Sequence, residues 1–165
     1  MARLNGISKN LNAFLDMIAY SEGTPRIPNG DGGYGVIVGG TTFHSYRDHP
    51  RCLVTLSPTL KSTAAGRYQL LARYFDAYKR SLVLPDFTPA SQDTIAIQQI
   101  KECRALDLIE KGDISTAISA CAHIWASLPG AGYGQRENKI DALIAAYTTY
   151  GGASVTYVTY GGAIA

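Results

Sequence analysis

The chain has 165 residues, 46% of them apolar and 17% charged, with a formal net charge of +2. That length supports one domain with a real core, in one or two lobes, and the composition is that of a soluble globular protein. The Lys and Arg are too scattered to argue for nucleic acid and leave room only for a mildly basic cleft. No run of about 18 apolar residues marks a membrane span. Asn10, Asn12 and Asp16 interrupt any signal-peptide core, which points to synthesis in the cytoplasm. The three cysteines, Cys52, Cys103 and Cys121, fit neither a disulfide framework nor a zinc site. Cys121 sits on an apolar stripe and reads as a buried thiol.

Residues 7–22 form the first predicted helix, with Ser8 or Asn10 as N-cap. Ile7, Leu11, Phe14, Leu15 and Ile18 lie on one face. Glu22 follows Ile18 by four and shares that face. A carboxylate there is costly unless hydrogen-bonded, and the C-terminal end of a helix disfavours negative charge. Gly23 supplies the stop. Both effects raise the Glu22 pKa, as a general acid needs. On position alone, the default reading is still a Glu at a frayed helix end, turned into water.

Residues 23–35, with Pro25, Pro28 and five glycines, read as a loop. Tyr34–Val38 and Thr41–Tyr46 read as two strands about a Gly39-Gly40 turn, with a third short strand at Leu53–Leu56. Ser62 or Thr63 opens a helix running through Gly66 and Gln69 to about Arg80, with Tyr68, Leu71, Phe75 and Tyr78 on its buried face. A helix starts at Thr88-Pro89, with Ile97 and Ile100 on its stripe. A short one covers Ala105–Lys111. Asp113 caps a longer one through Ile114, Ile118, Cys121, Trp125 and Leu128. Pro129–Gln135 breaks it, and a last helix runs from about Arg136 to Tyr150. The tail alternates like a strand over 154–160, and Thr149–Ala153 recurs at Thr159–Ala163, too few copies for a repeat architecture. The order predicts an α+β fold with a small antiparallel sheet in one lobe, helices in another and a cleft between them.

Four features carry chemistry: Glu22; the segment Ser62–Gln69; the glycine-rich Pro129–Gln135 with Tyr133 and Gln135; and the polar and aromatic set Tyr34, Phe43, His44, Ser45 and Tyr46. Small residues around Gly66 let a ligand approach the backbone, and Gln69 offers a donor and an acceptor. Taken singly, each of the last three reads as ordinary structure. His44, Asp48 and His49 lack the spacing of a metal site, and a surface-turn histidine is the better reading. Ser45, Asp48 and His49 form no nucleophile motif. Gly30–Gly35 lacks a phosphate-loop ending.

Together these residues resemble a known family. Phe14-Leu15-Asp16-Met17 with Ser21-Glu22-Gly23-Thr24, Tyr34–Gly40, Asp48-His49-Pro50-Arg51, Lys61–Leu71, Ser91-Gln92-Asp93 with Gln98–Lys101, and Ile124–Gln135 are similar, in order, to the lambda-type phage endolysins. These are small peptidoglycan-cleaving lytic transglycosylases of the lysozyme-like superfamily. The resemblance spans about residues 11–150. The tail after Gly152 departs from it, and Cys52 and Cys103 replace other residues.

The resemblance implies a lysozyme-like catalytic domain at 1–152, with a tail at 153–165 of unassigned role. It carries the single catalytic acid to Glu22 and makes Tyr68, Gln69, Tyr133 and Gln135 expected sugar contacts; Tyr34, Ser62 and Thr63, from the segments singled out above, complete the expected substrate contacts. No cofactor or metal is implied. Glycosidases ordinarily use two carboxylates, yet Asp31, Asp48 and Glu137 have no spacing that ties them to Glu22. One carboxylate fits an intramolecular route to a 1,6-anhydro sugar. A hydrolysing muramidase using Asp31 or Asp48, and a non-catalytic wall-binding module, stand as alternatives. The implied setting is a monomer made in the host cytoplasm, not inserted in the membrane, that reaches periplasmic glycan strands with a holin's help.

Overall fold

The computed structural model describes residues 1–132, 134 and 137–155. The first helix, α1 (Lys9–Glu22), is capped by Ser8, whose hydroxyl accepts from the Leu11 amide. Gly23 ends it at φ 75°, a left-handed C-cap. Its Leu11, Phe14, Leu15, Met17 and Ile18 are buried at the centre of the main core. Around α1 pack α3 (Pro89–Glu102), α4 (Leu106–Glu110) and α6 (Ile140–Thr149). α5 (Ile114–Cys121) adds Ile114, Ile118 and Cys121 to the same core. Cys121 is therefore the buried thiol expected, and all three cysteines are free.

The sheet is smaller than the sequence suggests. β1 (Val54–Ser57) and β2 (Leu60–Ser62) form one antiparallel pair with an irregularity between Thr55 and Ser57. The predicted strands at 34–38 and 41–46 shrink to a single Val36–Thr42 bridge. The reason is competition: the Val38 amide donates to Ala64 O at 2.9 Å and Val36 O accepts from Gly66 at 2.7 Å, so this segment pairs with the 64–66 backbone instead. The loop at 23–35 contains two 3₁₀ turns, Thr24–Arg26 and Asp31–Gly33.

The largest departure lies at 62–71. No helix begins there. Ser62 ends β2, and Ala65 and Leu70 exchange backbone hydrogen bonds at 3.0 and 2.9 Å across a tight turn of Gly66, Arg67, Tyr68 and Gln69. α2 (Ala72–Ser81) starts only afterwards, with Thr63 Oγ1 accepting from the Ala72 amide. Gly66 has φ 80°, and a Cβ there would strike the Gln92 side-chain carbonyl. Tertiary bonds hold the turn against helical propensity. Arg67 N donates to Gln92 Oε1 at 2.9 Å, Arg67 O accepts from Thr24 Oγ1 at 2.7 Å, and Tyr68 O accepts from Trp125 Nε1 at 3.2 Å. α5 also stops earlier than expected, at Cys121. Trp125 and Leu128 stay buried through successive turns, because the indole must reach the Tyr68 carbonyl.

His49 is the other correction. It is buried, not at the surface, with its ring against Phe75 and Phe87 in a second, smaller core. Nδ1 accepts from the Arg51 amide at 3.0 Å, so Nε2–H donates to Leu70 O at 2.9 Å. Burial pushes its pKa below the ordinary value. Residues 153–155 dock onto the body: Ala153 N donates to Asn10 Oδ1 and Val155 N to Gly112 O, each at 3.0 Å. The strand-like 154–160 and the second Thr-Tyr-Gly-Gly-Ala copy extend into 156–165, outside the described residues.

Asp16 and Arg67 form a buried ion pair at 2.6 Å. Asp16→Ala leaves the Arg67 guanidinium buried without its carboxylate, and is expected to cost about 3–5 kcal/mol. Urea unfolding measures the loss; a change below about 1 kcal/mol contradicts the pair's role.

Candidate active site

A cleft of about 660 Å³ opens between the β1–β2 hairpin, the 64–71 segment, α2 and residues 123–126. Glu22, Ser62, Tyr68, Gln69, Tyr74 and Trp125 are among its walls. Glu22 reaches it because α1 terminates there, just past the buried Ile18. The side chain is only partly exposed. Burial raises its pKa from about 4.5 to about 7, and a hydrogen bond from Ser127 Oγ to Oε1 at 2.6 Å opposes that rise.

Glu22 is the one carboxylate among the described lining residues. The two candidate partners are occupied elsewhere. Asp31 accepts from Arg3 and from the Tyr46 hydroxyl, and the Arg3 hydrogen bond holds its pKa below the ordinary value. Asp48 accepts from Arg51 Nε at 3.0 Å and Lys79 Nζ at 3.4 Å, and is likewise held down, chiefly by Arg51. Glu137 is tied to the Gly130 and Gly132 amides, each at 2.9 Å. Among the described residues no cluster of His, Cys, Asp and Glu could hold a metal.

The predicted contacts divide. Ser62, Tyr68 and Gln69 line the cleft with Glu22. Gln69 sits at φ 51°, and its Nε2 donates to Gly66 O at 2.9 Å, leaving the amide oxygen for a ligand. Tyr68 presents only part of its ring, since its hydroxyl donates to the buried Asp93 at 2.7 Å. Tyr34 does not reach the cleft. It is fully buried, its hydroxyl donates to Asp93 at 2.8 Å, and Arg3 and Arg67 lie over its ring. Thr63 is spent on the α2 amide and lies outside the lining. Tyr133 and Gln135 fall outside the described residues.

With this geometry in view, the comparisons with known proteins are direct. Residues 12–154 match the family model described as Endolysin. The chain belongs to the endolysin family. The endolysin of Escherichia phage lambda is 60% identical over 148 residues, which is 88% of this chain and 94% of that protein. The endolysin of Escherichia phage P2 is 48% identical over 155 residues, 87% and 94% respectively. Bacteriophage lambda lysozyme complexed with a chitohexasaccharide superposes with a TM-score of 0.89 at 57% identity, covering 92% of this chain and all of that one. A second lambda lysozyme structure gives 0.85 at 56% identity. This endolysin therefore has the lysozyme-like α+β fold, mostly helical with a two-stranded sheet.

Sequence reasoning missed the polar group behind Glu22. Ser127 bonds Glu22, and Ser21 and Asn138 stand behind it, with Ser21 Oγ 2.8 Å from Ser127 Oγ and Asn138 Nδ2 3.1 Å from Ser21 Oγ. No periodic pattern marks them. It also missed Asp93, which accepts from Tyr34, Tyr68 and the Arg3 and Leu4 amides. A signal existed there: Asp93 precedes Ile97 by four and shares its helical face.

Glu22 binds its proton more tightly folded than unfolded, so its contribution destabilises the fold as pH rises from about 4.5 to about 7. Glu22→Gln is expected to raise stability by about 2–3 kcal/mol at pH 8 and by little at pH 4. Thermal unfolding at both pH values checks this, and an equal effect at each would contradict the raised pKa.

Proposed function

We propose that this endolysin cleaves the β-1,4 bond between N-acetylmuramic acid and N-acetylglucosamine by lytic transglycosylation. Family membership makes the chain an enzyme acting on peptidoglycan; the proposal concerns the route. The observation that carries it is the solitary Glu22 in a sugar-sized cleft, with Asp31 and Asp48 held in ion pairs away from it. The chitohexasaccharide bound to lambda lysozyme supports a glycan strand as occupant.

With a pKa near 7, Glu22 is substantially protonated at neutral pH. It donates that proton to the bridging oxygen as the C1–O bond breaks, leaving an oxocarbenium-like muramyl residue and a free C4 hydroxyl on the departing sugar. The muramyl C6 hydroxyl then attacks C1. Glu22, now a carboxylate, takes the C6 hydroxyl proton. The product is a 1,6-anhydro ring, Glu22 regains its proton, and no water is consumed. Intramolecular attack carries an effective molarity on the order of 10⁵ M or more in good geometry, which offsets the missing second carboxylate. Ser62, Tyr68 and Gln69 would contact the sugars, with Tyr133 and Gln135 as the further expected contacts.

The same reading has the endolysin made in the host cytoplasm, acting as a monomer, and reaching the periplasmic wall through a holin. Among the described residues, no helix is long and apolar enough to cross a membrane.

Mass spectrometry of digested peptidoglycan tests the route. Anhydro-muropeptides are expected; products heavier by one water, with reducing ends, would make the enzyme a hydrolysing muramidase instead. Glu22→Gln is expected to lower lysis of permeabilised cells by about 10²–10⁴-fold, the usual worth of a general acid. Undiminished lysis would leave only a wall-binding role for the cleft.

A further inference from the structure

The polar group behind Glu22 has a direction. Asn138 Nδ2 lies 3.2 Å from Ser21 O, 3.1 Å from Ser21 Oγ and 3.2 Å from Ser127 O. Two of these are carbonyls, which only accept, so the amide nitrogen must face them and donate. Its two protons are shared among three acceptors, and because an amide nitrogen cannot accept, the serine oxygen receives in the 3.1 Å contact with Ser21 Oγ. Its own proton goes to Ser127 Oγ at 2.8 Å, with Ser127 O more distant at 3.3 Å. Ser127 Oγ is then an acceptor from Ser21, and its proton has Glu22 Oε1 at 2.6 Å. Donation runs one way, from Asn138 through Ser21 and Ser127 to Glu22.

This fixes the acid's geometry. Oε1 is a dedicated acceptor, because a proton on it would face the Ser127 proton. Oε2, which no described residue bonds, is left to carry the proton into the cleft. We infer that Asn138, Ser21 and Ser127 are positioning residues that select the proton-bearing oxygen of Glu22 and hold the group between its acid and base roles. The inference rests on Glu22 being the acid of the proposed reaction. Asn138 also spans the site: its backbone amide donates to Ser127 O at 2.9 Å, so the segment leading into α6 is fastened to the end of α1 through this chain.

Other charged or titratable residues line the cleft, namely Lys61, Arg73, His123, Tyr74, Tyr78 and Tyr68, whose hydroxyl is turned back onto Asp93. Glu137, on the loop leading to Asn138, is bound to the loop amides. The shift of Glu22 itself arises from burial, opposed by the Ser127 hydroxyl. Removing the hydroxyl therefore moves its pKa up.

The test reads Glu22 directly, by ¹³C NMR titration of its carboxyl in the full chain, beside the pH profile of peptidoglycan cleavage. Ser127→Ala is expected to raise the midpoint by about one pH unit, the scale of a hydrogen bond to a charged group. The profile should move with it, and kcat should fall about tenfold with KM little changed. Asn138→Ala and Ser21→Ala should shift the midpoint the same way by a smaller amount, while Ser127→Thr, which keeps the hydroxyl, should restore the wild-type midpoint. Ser21→Ala leaves both carbonyl bonds of Asn138 intact, so the chain can be broken even if Asn138→Ala fails to fold. An unmoved midpoint in Ser127→Ala overturns the proposal. So does a shift in Ser127→Ala with none in Ser21→Ala, which would confine the effect to one serine. Because the NMR midpoint does not depend on turnover, a failure of Glu22 as catalytic acid appears separately, as activity retained by Glu22→Gln.

Discussion

The buried ion pair of Asp16 and Arg67 is the constraint from which the cleft is laid out. Asp16 lies on α1, the helix that ends in Glu22; Arg67 lies in the turn that presents Tyr68 and Gln69. Joining them at 2.6 Å sets the distance between the acid and the floor of the cleft. The pair is not isolated. Arg67 also donates to Gly32 O, Asp16 accepts from the Ala2 amide at 2.7 Å, and Arg67 lies over the Tyr34 ring. A buried ion pair seldom adds much net stability over apolar residues of the same volume, yet losing one partner is expensive. Its effect here is on register: few other arrangements of the 64–71 backbone satisfy both charges. One polar atom, Arg67 Nε, has no hydrogen-bond partner among the described residues, a cost borne within this arrangement.

Asp93 performs the corresponding task on the other side of the turn. It gathers the Tyr34 and Tyr68 hydroxyls and two N-terminal amides at one carboxylate. Tyr68 is thereby anchored at both ends, its hydroxyl on Asp93 and its carbonyl on the Trp125 indole. The segment at 123–126 and the turn at 66–69 both line the cleft, and the indole bond couples them. The cleft is thus a preorganised space, walled by groups whose polar atoms are already committed behind it.

That commitment explains what could be read from sequence and what could not. The stripe on α1 was legible because a 3.6-residue period survives folding: Leu11, Phe14, Leu15 and Ile18 are all buried, although Ala13, Met17 and Ala19 on the flanking faces are buried with them. α3, α4 and α6 were legible for the same reason, within a few residues at their ends. The turn at 66–69 was not, because its shape comes from bonds to Thr24, Gln92 and Trp125, each far away in sequence. Tyr34 was assigned to the cleft because an aromatic with a polar tip looks the same whether the tip faces a ligand or a buried carboxylate. His49 was placed at the surface because its partner, the Leu70 carbonyl, leaves no trace in composition. Glu22 was legible as an oddity, a carboxylate on a core face at the end of a helix. Its significance came from the family resemblance, and its chemistry from neighbours no pattern marks.

On the proposed route a single carboxylate gives a proton and then takes one, and it cannot do so from its ordinary pKa, where it would be ionised before the first step. Nor can it be buried without relief, since an acid far above neutrality becomes a poor donor. Two opposed effects act on Glu22. Burial raises the pKa, and the Ser127 hydroxyl at 2.6 Å restrains it, leaving the group near 7. In a two-carboxylate site the acid and the base are tuned separately, each by its own surroundings. On the proposed route one group serves both needs, and the group that restrains it is a neutral hydroxyl, which biases the carboxylate without becoming a competing base. Ion pairing would not serve as well. Arg3 and Arg51 hold Asp31 and Asp48 below the ordinary range, and a carboxylate so held could not be the proton donor at neutral pH. The exposed carboxylates are set by their charged partners, while Glu22 in the cleft is set by burial and a hydroxyl.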